Sequence, residues 1–389
     1  MKEITGTRKR IISLDAIRGF ALFGILMVNI LAFHSPHFLY GGASEFYQAE
    51  WDGPFLVMID LFFQASFYPL FSLLFGIGMY LMYERLQQSV QNEAKKVLRR
   101  RMFVLALIGL AHGLFIWYGD ILLTYSIVGL FTLLFIHKSV KSLVKWAASM
   151  LLITTLLLTF MYYQARDFVD GYQDHGAIRE SFAHYLGSYS DILSRNFTDW
   201  LIMFDPFQII IITLTILPMF LTGIIIVKLG WLKDIEGNLK QIRMWLGISF
   251  IIFALFKIGP YAFGMPAWMD FMQDTIGGSF SSIFYLLLLL ILFEKRYFFR
   301  FQRIMSGVGK LSLTNYLMQS VICFLIFYGV GLGWYGELTV PALVALALLI
   351  YSMQALFSHW YLSKYQYGPF EWIYRSLTYG RKQAFKRRA

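Results

Sequence analysis

Four polar side chains within or beside apolar runs carry the chemistry this sequence offers: Asn29, Asp60, His112 and Asp120. An unperturbed imidazole titrates near about 6.5, so His112 can take a proton from a hydroxyl or amine at neutral pH. A carboxylate from Asp120 or Asp60 would orient the ring and stabilise its charged form, as the third member of a catalytic triad does. Asn29 would donate a hydrogen bond to a developing oxyanion. The depths of the four agree. At about 1.5 Å per residue, Asn29 lies roughly 25 Å and His112 roughly 21 Å from the inner ends of their runs, and Asp60 about 8 Å below the outer surface. Asp120 follows Tyr118 in a tight helical hairpin. The plainer alternative for His112 is a neutral ring bonded to a neighbouring carbonyl.

A second layer of polar residues lies near the inner ends of the runs. Asp15 and Arg18 share one helix face and can neutralise each other or bind a ligand. Asn315 and Gln319 share a face, with Tyr316 within a turn of both; hydrogen bonding between helices is the alternative to substrate binding. Arg99, Arg100 and Arg101 form a basic triplet at the inner mouth. Glu371 and Arg375 read as a surface pair. Ser306-Gly307-Val308-Gly309-Lys310 faintly resembles a phosphate loop, but such a loop needs glycine where Ile304 stands and a preceding strand. His34 and His37 follow the first run, and with no third and fourth ligand evident they read as surface histidines; no metal is expected. His137, His175, His184 and His359 carry no motif and read as interfacial or loop residues.

The elements that hold these residues follow from composition. Of 389 residues, 58% are hydrophobic and only 15% charged, against roughly 25% charged in soluble domains. That excludes most soluble enzymes and any disordered chain. A single cysteine, Cys323, excludes a disulfide framework. Ten runs approach the roughly 20 apolar residues needed to cross a bilayer, near 12–33, 55–83, 98–118, 120–137, 142–163, 206–227, 243–263, 279–293, 309–331 and 340–362. The second run is long and contains Pro69, so a kink is expected there.

The charges then set the sides. Most of the 34 basic residues fall in the tails and in alternate connections, including Lys2, Arg8, Lys9 and Arg10 at the start; Arg166, Arg179 and Arg195 share the opposite side with most of the acids. Both termini are therefore expected in the cytoplasm, and the net charge of +11 reflects topology rather than a nucleic-acid partner. The basic start followed by a long apolar run reads as an uncleaved signal-anchor. The expected fold is all-α, a polytopic integral membrane protein with about ten transmembrane helices in the plasma membrane. One transmembrane domain spans 1–389: a cytoplasmic tail at 1–11, the helices within 12–362, an extracytoplasmic loop at 164–205, and a basic cytoplasmic tail at 363–389. The loop is expected to form one short amphipathic helix, and its Asn196-Phe197-Thr198 is a glycosylation sequon.

Several segments resemble the YeiB-like (DUF418-containing) membrane proteins. They are Leu14-Asp15-Ala16-Ile17-Arg18-Gly19 running on to Asn29, Phe71-Ser72-Leu73-Leu74-Phe75-Gly76, Gly109-Leu110-Ala111-His112-Gly113, Tyr118-Gly119-Asp120, Leu313-Thr314-Asn315-Tyr316 through Gln319, and Tyr367-Gly368-Pro369-Phe370-Glu371-Trp372. The resemblance implies kinship with heparan-α-glucosaminide N-acetyltransferase and other membrane acyltransferases, which use cytoplasmic acyl-CoA to modify acceptors on the far side. Asp15-x-x-Arg18-Gly19, Asn29 and Trp51-Asp52-Gly53 look like that enzyme's first helix and the segment after it. Its active histidine follows the first helix, but neither His34 nor His37 matches the offset, so His112 and His37 compete as the base. On this reading acyl-CoA is the donor substrate, with its phosphates against Arg99, Arg100 and Arg101. The acceptor is a small molecule or glycan at the outer face, among membrane lipids, and relatives suggest a homodimer. The alternative is a transporter or lipid flippase using Asp15, Arg18 and Asp60 as binding or proton-coupling residues.

Overall fold

A chain that leaves water must satisfy its backbone N–H and C=O groups internally, and every apolar run of this sequence folds as helix. The computed structural model describes residues 12–89 and 93–386; Lys2, Arg8, Lys9 and Arg10 of the N-terminal tail, and Arg387 and Arg388, lie outside the described residues. The main helices in chain order begin with α1 (Ile12–His34), α2 (Asp52–Phe62), α3 (Phe67–Ser89), α4 (Ala94–Phe115) and α5 (Leu122–Phe135). Then come α6 (Val140–Gln164), α7 (His175–Tyr185), α8 (Tyr189–Met203), α9 (Pro206–Lys228) and α10 (Leu239–Ile258). The chain ends with α11 (Gly278–Glu294), α12 (Phe299–Lys310), α13 (Ser312–Phe327), α14 (Val340–Lys364) and α15 (Pro369–Tyr379). Among the described residues there is no β-strand. The protein is an all-α polytopic membrane protein.

Not all of the ten runs expected to cross meet the length and composition of a span on their own. Seven helical segments among the described residues are long and apolar enough to span a bilayer, or eight if α12 and α13, bent by 79° at Leu311, are one span. Two runs remain. The first half of α4 carries Lys95, Lys96 and the three arginines, and α5 has only 14 residues. Helix α1 is the most buried, whereas α10 and α6 turn large apolar side chains such as Ile251, Leu255, Ile153 and Leu156 outward. Such an inside-out face is what a helix in contact with lipid requires.

The second run does break, but not at Pro69. The interruption falls at 63–66, where Ala65 takes a φ of 53°, and Pro69 sits in the first turn of α3, where its missing N–H costs nothing. Side chains satisfy the broken turn: the Tyr285 hydroxyl donates to the Phe62 carbonyl at 3.0 Å, and Ser281 donates to Ser66 Oγ at 2.6 Å.

At one end of the bundle, α1 crosses α12 through a pair of glycines. A Cβ on Gly19 would collide with the Met305 carbonyl, and one on Gly309 with the Asp15 carbonyl. Only glycine lets these backbones touch. The Ser306–Lys310 segment is therefore the end of a helix, not a phosphate loop. Just beyond, α13 starts against a carboxylate from another helix. Glu371 accepts from the backbone N–H groups of Leu313 (2.6 Å) and Thr314 (3.0 Å), and from the Thr314 hydroxyl (2.6 Å). Glu371 is thus packed against a helix start, where the positive end of the helix dipole favours it, rather than forming the surface pair expected. Desolvation raises its pKa, and these hydrogen bonds oppose the shift.

At the opposite end, the connection after α6 folds into two helices, α7 and α8, instead of one. Each has its own start signal: Asp174 accepts from Ala177 N–H, and Ser188 with Asp191 forms a capping box. The pair lies as a cap over the α4–α5 hairpin.

Replacing Glu371 with alanine is expected to cost about 1–3 kcal/mol by leaving two buried N–H groups unpaired. A clear fall in the thermal unfolding midpoint in detergent, partly restored in Glu371→Gln, is the result to look for.

Candidate functional site

Helix α4 reaches the cap with His112 in its last turn, and the hairpin 116–121 folds back over that ring. Asp120 serves both helices. Its Oδ2 accepts from Leu123 N–H at 2.7 Å, closing the start of α5, while its Oδ1 accepts from His112 Nδ1 at 2.8 Å. Both side chains are buried. Nδ1 donates to the Asp120 carboxylate, so in the neutral ring it is Nε2 that presents the lone pair. Buried Nε2 has no hydrogen-bond partner among the described residues. Tyr316 packs its ring 5.3 Å from the imidazole, and its hydroxyl accepts from Ile121 N–H at 3.4 Å.

The cap adds further polar atoms to the same spot. Asn196 of α8 donates to the Gly113 and Leu114 carbonyls at 2.8 and 3.0 Å, leaving its Oδ1 unpartnered. The Trp200 indole lies so close to Gly113 that a Cβ there would meet it, and Trp200 Nε1 and Trp117 Nε1 are likewise buried without partners. Buried polar atoms in folded proteins are nearly always paired, so such a gathering marks a place suited to a polar ligand. Asn196 is occupied in this contact and almost wholly buried, which removes the sequon from use.

The other outer residues go elsewhere. Asp60 stands not beside His112 but in a second cluster: its Oδ1 lies 3.4 Å from Lys257 Nζ, and its Oδ2 accepts from Tyr261 (2.7 Å) and Gln273 (2.9 Å). Lys257, fully buried, donates to Asp274 at 2.7 Å. Asn29 is half-buried with no hydrogen-bond partner among the described residues. One turn further along the same face of α1, Phe33 stacks on Trp117 of the hairpin at 4.0 Å, so Asn29 faces the same neighbourhood.

Of the inner residues, Asp15 and Arg18 pair at 3.1 Å. Asn315 and Gln319 tie α13 to α14: Asn315 donates to Ser358 Oγ (2.9 Å) and to the Val308 carbonyl (3.1 Å), and Gln319 to Gln354 Oε1 (2.9 Å). Tyr316 alone of that trio reaches His112. Arg99 is exposed, and Arg101 lies over the Tyr374 ring at 4.6 Å. Arg100 lines a hollow of about 430 Å³ with Trp372, Arg381 and Lys382, at the end of the bundle remote from the cap. His112 does not line it.

The cap is held by ions. Buried Arg195 lies 3.0 Å from both Glu180 and Asp199, and over the Tyr40 ring at 4.8 Å; Tyr40 and Tyr185 each donate to Asp199 at 2.6 Å. Burial raises the Asp199 pKa, opposed by the two tyrosines and the arginine. His34 is wholly buried and His37 half-buried, not the surface residues expected. Leu338 N–H donates to His34 Nε2 (2.9 Å), so the chain of hydrogen bonds runs one way: His34 Nδ1 to Tyr47 (3.3 Å), Tyr47 to Ser35 (3.1 Å), and Ser35 to His37 Nδ1 (2.7 Å). Among the described residues no three His, Cys, Asp or Glu side chains gather as metal ligands would.

Fold and site together define a helical membrane protein with a buried His–Asp pair beneath a two-helix cap. Residues 226–381 match the family described as protein of unknown function, DUF418. The chain is similar to the uncharacterized protein YxaH of Bacillus subtilis (strain 168), 32% identical with 96% of each chain covered. It is also similar to the uncharacterized protein YeiB of Escherichia coli (strain K12), 29% identical over 95% of this chain and 96% of that one. An uncharacterized 39.9 kDa protein from the amylase 3' region of Bacillus acidopullulyticus is 27% identical over 96% of this chain and 95% of its own. The chain belongs to the YeiB-like DUF418 family.

Sequence reasoning passed over Lys257, although a lysine amid an apolar run satisfies the same rule that selected His112. It also took His37 as exposed. Burial first, and His34 next, push the His37 pKa down to about 3. An unfolded imidazole protonates near about 6.5, so between those values the unfolded chain binds the extra proton and stability falls as pH drops. Thermal unfolding from pH 7 to 4 should show a shallower decline for His37→Gln than for the parent; identical slopes would place His37 in water.

Proposed function

We propose that this protein is a transmembrane acyltransferase of the plasma membrane, with both termini in the cytoplasm, moving an acyl group from cytoplasmic acyl-CoA to a hydroxyl or amine at the far face. One observation carries the reading: His112, oriented through Nδ1 by Asp120 at 2.8 Å, holds Nε2 buried and without a partner. Such a nitrogen is a general base fixed in the productive tautomer. Nε2 takes the proton of the acceptor, the acceptor oxygen or nitrogen bonds to the thioester carbonyl carbon, the carbon–sulfur bond breaks, and the proton passes to the departing thiolate. Asn29, on the face of α1 turned to the hairpin, supplies a donor for the oxyanion. Because His112 is closed over by Tyr316 and α8, entry of the acceptor requires the cap to shift.

The residues remote from the cap suit the nucleotide end of the donor. Arg100, Arg381 and Lys382 offer three cations to phosphates beside Trp372, whose ring can stack on a base. The expected acceptor is a small molecule or glycan.

Transfer from radiolabelled acyl-CoA by detergent-purified protein should fall at least about 10²-fold in His112→Ala, and as steeply in Asp120→Asn. Undiminished turnover in His112→Ala would end this reading.

A second reading, ion-coupled transport, has its own observation: Lys257, buried between Asp60 and Asp274, beside a π-helical turn at Gln273–Gly277. Intramembrane acid–base clusters of this kind serve proton relays. In proteoliposomes with an internal pH dye, proton entry abolished by Lys257→Met and untouched by His112→Ala would favour it. No flux through the parent protein would remove it.

A further inference from the structure

The hollow between the start of α1, α12 and the end of α14 is a second site, separate from both readings above. We propose that it binds the phosphate of an anionic phospholipid, with the lipid's chains lying against the exposed aromatic residues at the start of α12.

The hollow has a volume of about 440 Å³, within the range of roughly 300–1,000 Å³ typical of small-ligand sites. Three groups able to carry positive charge line it: Arg303 and Lys310 from α12, and His359 from α14. Among the described residues no carboxylate does. Gln302 and Ser306 form its buried wall, at 7% and 3% exposure. Gln302 spends its amide donor on Ser13 Oγ at 3.1 Å, whereas Ser306 Oγ is buried with no hydrogen-bond partner among the described residues. A hydroxyl donor at the back and cations at the mouth match a phosphate diester, whose two free oxygens are strong acceptors.

What surrounds the cations selects a lipid over a soluble phosphate. Ile12, Phe299 and Leu362 edge the hollow. The bend of 79° at Leu311 turns α12 away from the direction of α13. Along α12 exposure changes: Phe299, Phe301 and Ile304 of its first part are exposed, continuing the exposed Tyr297 and Phe298, while Ser306, Gly307 and Gly309 near its end are buried. An amphipathic helix with aromatic residues outward and basic ones beside them is suited to the membrane interface, and basic pockets between helices there hold anionic headgroups. Inorganic phosphate would use the cations and Ser306 but gain nothing from the aromatic margin.

The test uses the full chain in neutral detergent and native mass spectrometry. Phosphatidylglycerol and phosphatidylcholine of identical chains are titrated, with inorganic phosphate and glycerol phosphate as competitors. The parent should retain phosphatidylglycerol about tenfold better than phosphatidylcholine, a preference that two or more cations at a headgroup supply. Arg303→Gln combined with His359→Gln should bring the two lipids to within about twofold, and Ser306→Ala should weaken phosphatidylglycerol without removing the preference. Equal retention of both lipids by the parent would overturn the proposal whether or not the variants fold. So would an unchanged preference in the double variant. Displacement of phosphatidylglycerol by equimolar glycerol phosphate would show a site for soluble phosphate instead. Acyl transfer plays no part in these readouts, so failure here leaves the assignment of His112 standing.

Discussion

A single carboxylate organises the end of the bundle where chemistry is proposed. Asp120 gives one oxygen to the first turn of α5 and the other to His112 near the end of α4. The helix start needs an acceptor for its unpaired N–H groups, and the imidazole needs a fixed tautomer. One residue meets both demands, so the hairpin cannot open without releasing the histidine. Gly109 and Gly113 permit this closeness: a Cβ on the first would press into Leu123 and Asp120, and on the second into Trp200. The sequence neighbours of His112 are thus small for a geometric reason.

The far end of the bundle obeys the same logic with other partners. Glu371 of α15 closes the start of α13, and the Gly19–Gly309 crossing locks α1 to α12 just before it. Segments widely separated in the chain therefore meet as a unit: the Asp15–Gly19 opening, the Leu313–Asn315 stretch and the Pro369–Trp372 stretch. Tyr316, four residues into α13, extends this unit toward His112. Helix α13 thus touches both Glu371 at its start and the imidazole one turn later.

How much of this could be read beforehand depended on how each contact is made. His112 lies in the last turn of one helix and Asp120 in the tight turn that leads into the next, so depth along the chain nearly determines their separation. The Asp15–Arg18 pair lies on one helix face and follows from helical geometry. Asp60 shares the depth of His112 yet meets Lys257, because rotation of α2 about its own axis is set by packing that no single-chain periodicity encodes. Glu371 was misread for a similar reason: its partners are 57 and 58 residues away. The kink in the second run came from a turn at Ala65 rather than from the proline, since proline in a first turn does not disturb a helix. The polarity of 164–205 suggested one short amphipathic helix and gave no sign that Arg195 and Asp199 bury their charges against each other, Tyr40 and Tyr185.

The two polar clusters near mid-chain differ in a way that bears on function. Around Lys257, the ammonium faces two carboxylates, and both Asp60 oxygens are engaged by Lys257, Tyr261 or Gln273. A network so fully paired is stable as it stands, and moving a proton through it must first break contacts that are strong in a low-dielectric setting. Around His112 the opposite holds: Nε2, Asn196 Oδ1 and two indole N–H groups are buried without partners. Each such atom carries a desolvation cost already incurred in the folded state. A ligand that supplies the missing partners recovers it, and one that fits only when a proton is leaving its own hydroxyl or amine recovers most at that instant. That difference favours chemistry at His112 over conduction at Lys257, because catalysis rewards interactions completed in the transition state rather than before it.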